Sequence, residues 1–130
     1  MNSTRDQFLS DFRGVNLGEI DNRSIEETFQ NQTLRPILKL QNDLFISVFK
    51  NQISKHKSDF SSLSAEKKLS YIELTIQKDI KFRNSLKGMV IALFTVEEYE
   101  QYIENSSDLN KRMMNMLIDR LKDQVLLFDN

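Results

Sequence analysis

The chain has 130 residues, 18 Lys+Arg against 19 Asp+Glu for a formal charge of −1, one His, one Pro, three Gly and no Cys. A chain of this length makes one domain that buries about two-thirds of its unfolded surface, and its balanced charge leaves no excess of Lys and Arg to hold nucleic acid. The lack of Cys excludes a disulfide framework, a thiolate metal site and a cysteine nucleophile. A lone His excludes two- and three-His metal centres and His-pair acid–base schemes.

Residues 1–7 carry no apolar run after a basic opening, so no secretory leader is expected. The longest apolar stretch is residues 89–94, far below the about 20 residues of a membrane-spanning helix. A soluble, cytoplasmic chain with no membrane contact is expected. Residues 1–23 read as a loosely docked N-terminal arm, with a short helix over 4–13 whose apolar side is Phe8, Leu9 and Phe12. The domain proper runs over 24–130. Ser24 and Glu27 form a capping-box pattern that opens a short helix through Ile25 and Phe29. Thr33 then reads as the cap of a new helix, with Pro36 in its first turn, where a missing N–H costs little. From Leu34 to about His56 the apolar residues keep helical spacing: Leu34, Ile37, Leu38, Leu44, Phe45, Val48, Phe49, Ile53.

After a connection over 57–62, Ser64 caps a helix with Leu69, Ile72, Ile76 and Ile80 on one face. The stripe rotates near residue 80 before continuing through Phe82, Leu86, Met89, Val90, Leu93 and Phe94. A kink or a break is expected there, with Asp79 suited to be an N-cap. Thr95 and Glu98 form a second capping box, before Tyr99, Tyr102 and Ile103. Ser107 reads as the cap of the last helix, through Leu109, Met113, Met116, Leu117, Leu121 and Phe128. No strand alternation and few breakers give an all-α fold: a single-domain bundle of five or six helices.

The sequence holds no Gly-rich phosphate loop, no Gly-x-Ser-x-Gly elbow and no Glu-x-x-His pair, so it offers no catalytic set, metal site or cofactor site. Glu26-Glu27 and Glu97-Glu98 stand in first helical turns, where carboxylates complement the helix dipole. Polar residues on apolar stripes are the remaining candidates: Gln41, Gln52 and His56 on the 34–56 helix, Asp79 and Arg83 four apart, and Arg120 and Gln124 near the end. A buried Arg or Asp without a partner is costly, so if inside these must meet one another. They can form a network that fixes helix register. They can also form a polar pocket for a small anionic or amide-bearing ligand, with Arg83 and Arg120 as forks. In the Met113-Met114-Met116 cluster, Met113 and Met116 share the core stripe and read as core packing, while Met114 toward its edge and the apolar tail over 125–128 suit a partner helix or a homodimer. Lys67-Lys68 and Lys111-Arg112 are too sparse for nucleic acid.

The blocks Phe29-Gln30-Asn31-Gln32-Thr33-Leu34-Arg35-Pro36-Ile37-Leu38-Lys39-Leu40-Gln41-Asn42-Asp43, Gln77-Lys78-Asp79, Phe82-Arg83-Asn84, Leu86-Lys87-Gly88-Met89, Phe94-Thr95-Val96-Glu97-Glu98-Tyr99 and Leu109-Asn110-Lys111-Arg112-Met113 together resemble a family of small all-helical proteins from Bacteroidetes-type bacteria. The resemblance spans about residues 24–126. Some members carry the label glyoxalase, but glyoxalase I modules are βαβββ units whose metal is held by His and Glu from several strands. One His and no strand pattern give this chain none of those ligands. The resemblance implies a bacterial, cytoplasmic origin and no catalytic residue. The expectation is a non-enzymatic helical domain acting through protein–protein contact or homo-oligomerisation, with a small-ligand binder or an enzyme built on an inter-helix polar pocket as the alternative.

Overall fold

Side-chain caps set most helix starts in the computed structural model, which describes residues 3–13, 24–56 and 59–129. Gly14, Gly18 and the rest of 14–23, with Lys57 and Ser58 of the expected connection, lie outside the described residues. All regular structure among the described residues is helical: α1 (Thr4–Arg13), α2 (residues 25–40), α3 (Asn42–Lys55), α4 (Ala65–Lys78), α5 (Ile80–Ile91), α6 (Val96–Glu104) and α7 (Ser106–Asp123). Two 3₁₀ turns, Phe60–Ser62 and Val125–Phe128, complete it. The described residues therefore hold seven helices where the pattern gave five or six.

The extra boundaries have local causes. Residues 64–94 are two helices, because Asp79 leaves helical geometry (φ −84°, ψ 94°) and caps α5. The expected 34–56 helix is bent at Gln41 (φ −88°, ψ 3°), which separates α2 from α3. Thr33 does not start a new helix. Residues 25–40 run on through a π turn over Gln30–Leu34. The turn precedes Pro36, whose ring crowds the carbonyl of Gln32 and whose missing N–H leaves that carbonyl without its α-helical partner. A wider π turn accommodates both, and such turns often mark functional positions. Ser107 does not cap α7 either; the helix begins at Ser106, with Asn105 in the N-cap position and no side-chain cap bond.

The core gathers one stripe from each helix from α2 to α7. Phe45, Phe49, Leu34, Ile37, Ile72, Ile76, Leu86, Val90, Met113, Leu117 and Leu121 are buried together. Phe49 is the hub of an aromatic group, with ring centroids 5.1 Å from Phe128, 5.9 Å from Phe82 and 6.3 Å from Tyr71. The tail is thereby split: Phe128 enters the core while Leu126 and Leu127 stay exposed. Met114, expected near the edge of the stripe, is buried. A second aromatic chain, Phe29–Phe94–Tyr102, fastens α2 to α6 through the residue just before that helix's N-cap and one in its last turn.

Candidate functional site at the start of the sixth helix

Thr95 adopts extended geometry (φ −71°, ψ 164°) and makes both bonds of a capping box. The Glu98 N–H donates to Thr95 Oγ1 at 3.2 Å, and the Thr95 N–H donates to Glu98 Oε1 at 2.8 Å. That much is local chemistry. The Glu98 carboxylate then accepts three further hydrogen bonds from other helices. Arg13 of α1 grips it in a fork, Nη1 to Oε1 and Nη2 to Oε2, each at 2.7 Å. The Thr33 hydroxyl, which sits in the π turn, donates to Oε2 at 2.7 Å. Arg13 Nη1 also donates to the Leu93 carbonyl at 2.6 Å.

These charges lie inside: the Arg13 side chain is 5% exposed and that of Glu98 16%. Arg13 Nε is buried and finds no hydrogen-bond partner among the described residues. Burial alone would push the Glu98 carboxyl up. The hydrogen bonds from Arg13, Thr95 and Thr33, together with the positive charge of Arg13, outweigh that and hold it below its ordinary value. Nearer the start of α1, the buried Asp6 carboxylate accepts the Val96 N–H, at 3.1 Å to Oδ2 and 3.3 Å to Oδ1. Arg5 donates to the Ala92 carbonyl at 2.7 Å. The first helix is thus fastened to the end of α5 and the start of α6 by charged groups, in place of the loosely docked arm expected from its composition. A carboxylate so fully engaged is held ionised and oriented; it has no free lone pair to act as a base on a substrate.

The residues singled out in the sequence fall into separate places. Gln52, His56 and Asp79 do meet: the buried Gln52 amide donates to Asp79 Oδ2 at 3.0 Å and stands 2.9 Å from His56 Nε2. For that amide to serve both, His56 Nε2 must accept and its proton must sit on Nδ1. His56 Nε2 is 3.9 Å from Asp79 Oδ2, whose partner oxygen caps the Phe82 N–H at 3.1 Å. Arg83 makes no ion pair with Asp79 and donates instead to the Gln77 carbonyl at 3.1 Å. Gln124 exchanges two 2.8 Å hydrogen bonds with Asn42. Gln41 donates to the Met89 carbonyl at 3.3 Å. Arg120 lines a groove of about 460 Å³ between α2 and α7, beside Arg35, Asp119 and Asp123. Arg83 lines a different groove, so the two arginines do not converge as a fork.

The outer face of α6 has another character. With about 100° per residue, Val96, Tyr99 and Ile103 share a face about 60° wide. They are 54%, 46% and 54% exposed. Glu97, Glu100 and Glu104 are exposed on the same helix, which contains no Lys or Arg. On α1, docked at the start of this helix, Phe8 and Phe12 stack at 5.5 Å between ring centroids and are 64% and 61% exposed.

No family model matches the chain, and neither a curated protein nor a solved structure was found similar to it. Among the described residues no group of three His, Asp or Glu side chains could hold a metal ion, and no helix is long and apolar enough to cross a membrane.

Proposed function

We propose that this is a non-enzymatic, cytoplasmic helical domain that works by protein–protein contact, and that the outer face of α6 receives a basic amphipathic helix of its partner. The observation that carries the reading is the Val96–Tyr99–Ile103 stripe, left in water beside Glu97, Glu100 and Glu104. Apolar anchors at helical spacing suit a helix laid alongside, and the one-signed charge selects a partner carrying Lys and Arg. The anchoring of α1 and α6 by Asp6, Arg13 and Glu98 supports it, because a surface fixed in advance loses less order on binding. Membership of the bacterial family that the sequence blocks resemble is part of the same proposal.

The probe is a synthetic 18-residue helical peptide with leucines on one face and lysines beside them, compared with its glutamate counterpart. The lysine peptide binds the wild type, weakens as salt rises, and loses at least tenfold in affinity to a Tyr99→Ser/Ile103→Ser variant. Equal binding of both peptides, or an unaffected variant, overturns the proposal. Self-association is a second reading, favoured by the exposed Leu126 and Leu127. Sedimentation at micromolar concentration then shows a dimer that Leu126→Ser/Leu127→Ser converts to monomer; a wild-type monomer rejects it.

A further inference from the structure

A groove of about 280 Å³ lies where α4, α5 and α7 meet, and its chemistry is the reverse of the α6 face. Its floor is apolar: Ile76, Met114 and Ile118, all buried. Its rim carries three cations, Arg83, Lys87 and Lys111, and among the described residues no carboxylate lines it, in a chain whose acids outnumber its bases. Lys87 and Lys111 have neither an ion pair nor a hydrogen bond among the described residues, and Arg83 uses one N–H on the Gln77 carbonyl. Arg83 and Lys87 stand four apart on α5, where like charges repel along a helix face. An arrangement that costs stability when empty is relieved by a bound anion.

Of the neutral polar residues in the wall, Gln77, Asn110 and Asn115, one has a donor to spare. The Tyr102 hydroxyl donates to Asn110 Oδ1 at 2.6 Å, which leaves the Asn110 NH₂ free to face an acceptor in the groove. We propose that this groove binds a small amphipathic anion: a phosphate or carboxylate head held by Arg83, Lys87 and Lys111, with a short aliphatic or single-ring body on Ile76, Met114 and Ile118. The volume falls just under the about 300 Å³ at which typical small-molecule sites begin, which suits a small ligand and excludes a dinucleotide. The site is independent of the α6 face and stands or falls without it.

The test titrates the full chain, labelled at its methionine methyl groups, with octyl phosphate, inorganic phosphate and octyltrimethylammonium. Octyl phosphate is expected to saturate and to move the Met114 methyl resonance more than those of Met89, Met113 and Met116. It binds at least tenfold more tightly than inorganic phosphate, and the cationic analogue does not bind. Lys87→Ala/Lys111→Ala lowers the affinity at least tenfold. The single exposed change Lys111→Glu does the same should the double variant fold poorly. Lys39→Glu, an equal change of charge outside the groove, leaves the affinity within twofold. The proposal is overturned if the cationic amphiphile binds equally, if another methionine reports the contact, or if Lys111→Glu binds like the wild type.

Discussion

Asp79 and Glu98 begin their careers alike, as carboxylates at the starts of α5 and α6. Asp79 caps the Phe82 N–H at 3.1 Å, and Glu98 closes a capping box on the Thr95 N–H at 2.8 Å. Their second contacts differ. Asp79, with a side chain 35% exposed, takes a neutral amide from Gln52. Glu98 takes a buried guanidinium and a hydroxyl, and its own helix start is further served by Asp6 of α1. A helix start fixes where a carboxylate stands, while the neighbouring helices decide whether it remains a cap or becomes the knot that joins three elements.

The largest consequence of that difference lies at Glu98. Removing one partner of a buried ion pair costs about 3–5 kcal/mol; Glu98→Ala falls near the lower end, about 3 kcal/mol, because α1 can lift off and carry Arg13 into water. Denaturant melts give the loss, and amide exchange shows α1 losing protection first. An unchanged α1 would mean that the ion pair is not what holds it. Acid acts on the same knot. The folded Glu98 titrates below the unfolded value near 4.5, so its stabilisation is complete above that pH and disappears as pH falls through the lower, folded value. Wild-type stability is therefore expected to drop across that window more steeply than that of Glu98→Gln, and parallel pH profiles would contradict the assignment.

Thr33→Val keeps the shape and deletes one hydrogen bond to a charged group, a loss of about 2 kcal/mol. A loss below half a kcal/mol, on the order of a surface substitution, would mean that the π turn does not serve Glu98. Asp79→Ala removes a cap and a partner of Gln52 at a half-exposed site and costs about 1 kcal/mol, read in the same melts. If it rivals Glu98→Ala, the contrast between the two helix starts fails. The smallest effect has the opposite sign. Gly88 lies within α5, and an added Cβ meets nothing within 4 Å. Gly88→Ala should therefore stabilise by about 0.5–1 kcal/mol, raising the melting temperature and sharpening the measurement of the Asp79 cap on the same helix.

The parts of the fold that depend on near neighbours were legible in the sequence. Ser24, Ser64, Asp79 and Thr95 each accept the expected amide three residues on. Thr33 shows where such reasoning ends: a hydroxyl before a Pro looks like a cap, yet it serves a carboxylate 65 residues away. The bend at Gln41 was hidden in the same way, since apolar spacing continues across it while its side chain turns to the Met89 carbonyl. Of the seven candidate polar residues, offered together as one network or pocket with Asp79 paired to Arg83, only Gln52, His56 and Asp79 come together; that a polar residue on an apolar stripe must find a partner does not say which one. Arg83 and Arg120 share that signature, but stripe position does not say into which groove a long side chain turns. Asp6 and Arg13 were missed because nothing local distinguishes them; Arg13 meets Glu98 across 85 residues.

The central claim, that the outer face of α6 is a docking surface, is tested most directly by hydrogen–deuterium exchange of the full chain with and without a saturating lysine-rich amphipathic peptide. The account predicts slower exchange confined to residues 96–104 and the adjoining α1, with no change over α3 and α4. Protection centred on α7 or the 125–128 tail, or no protection at all, would contradict it.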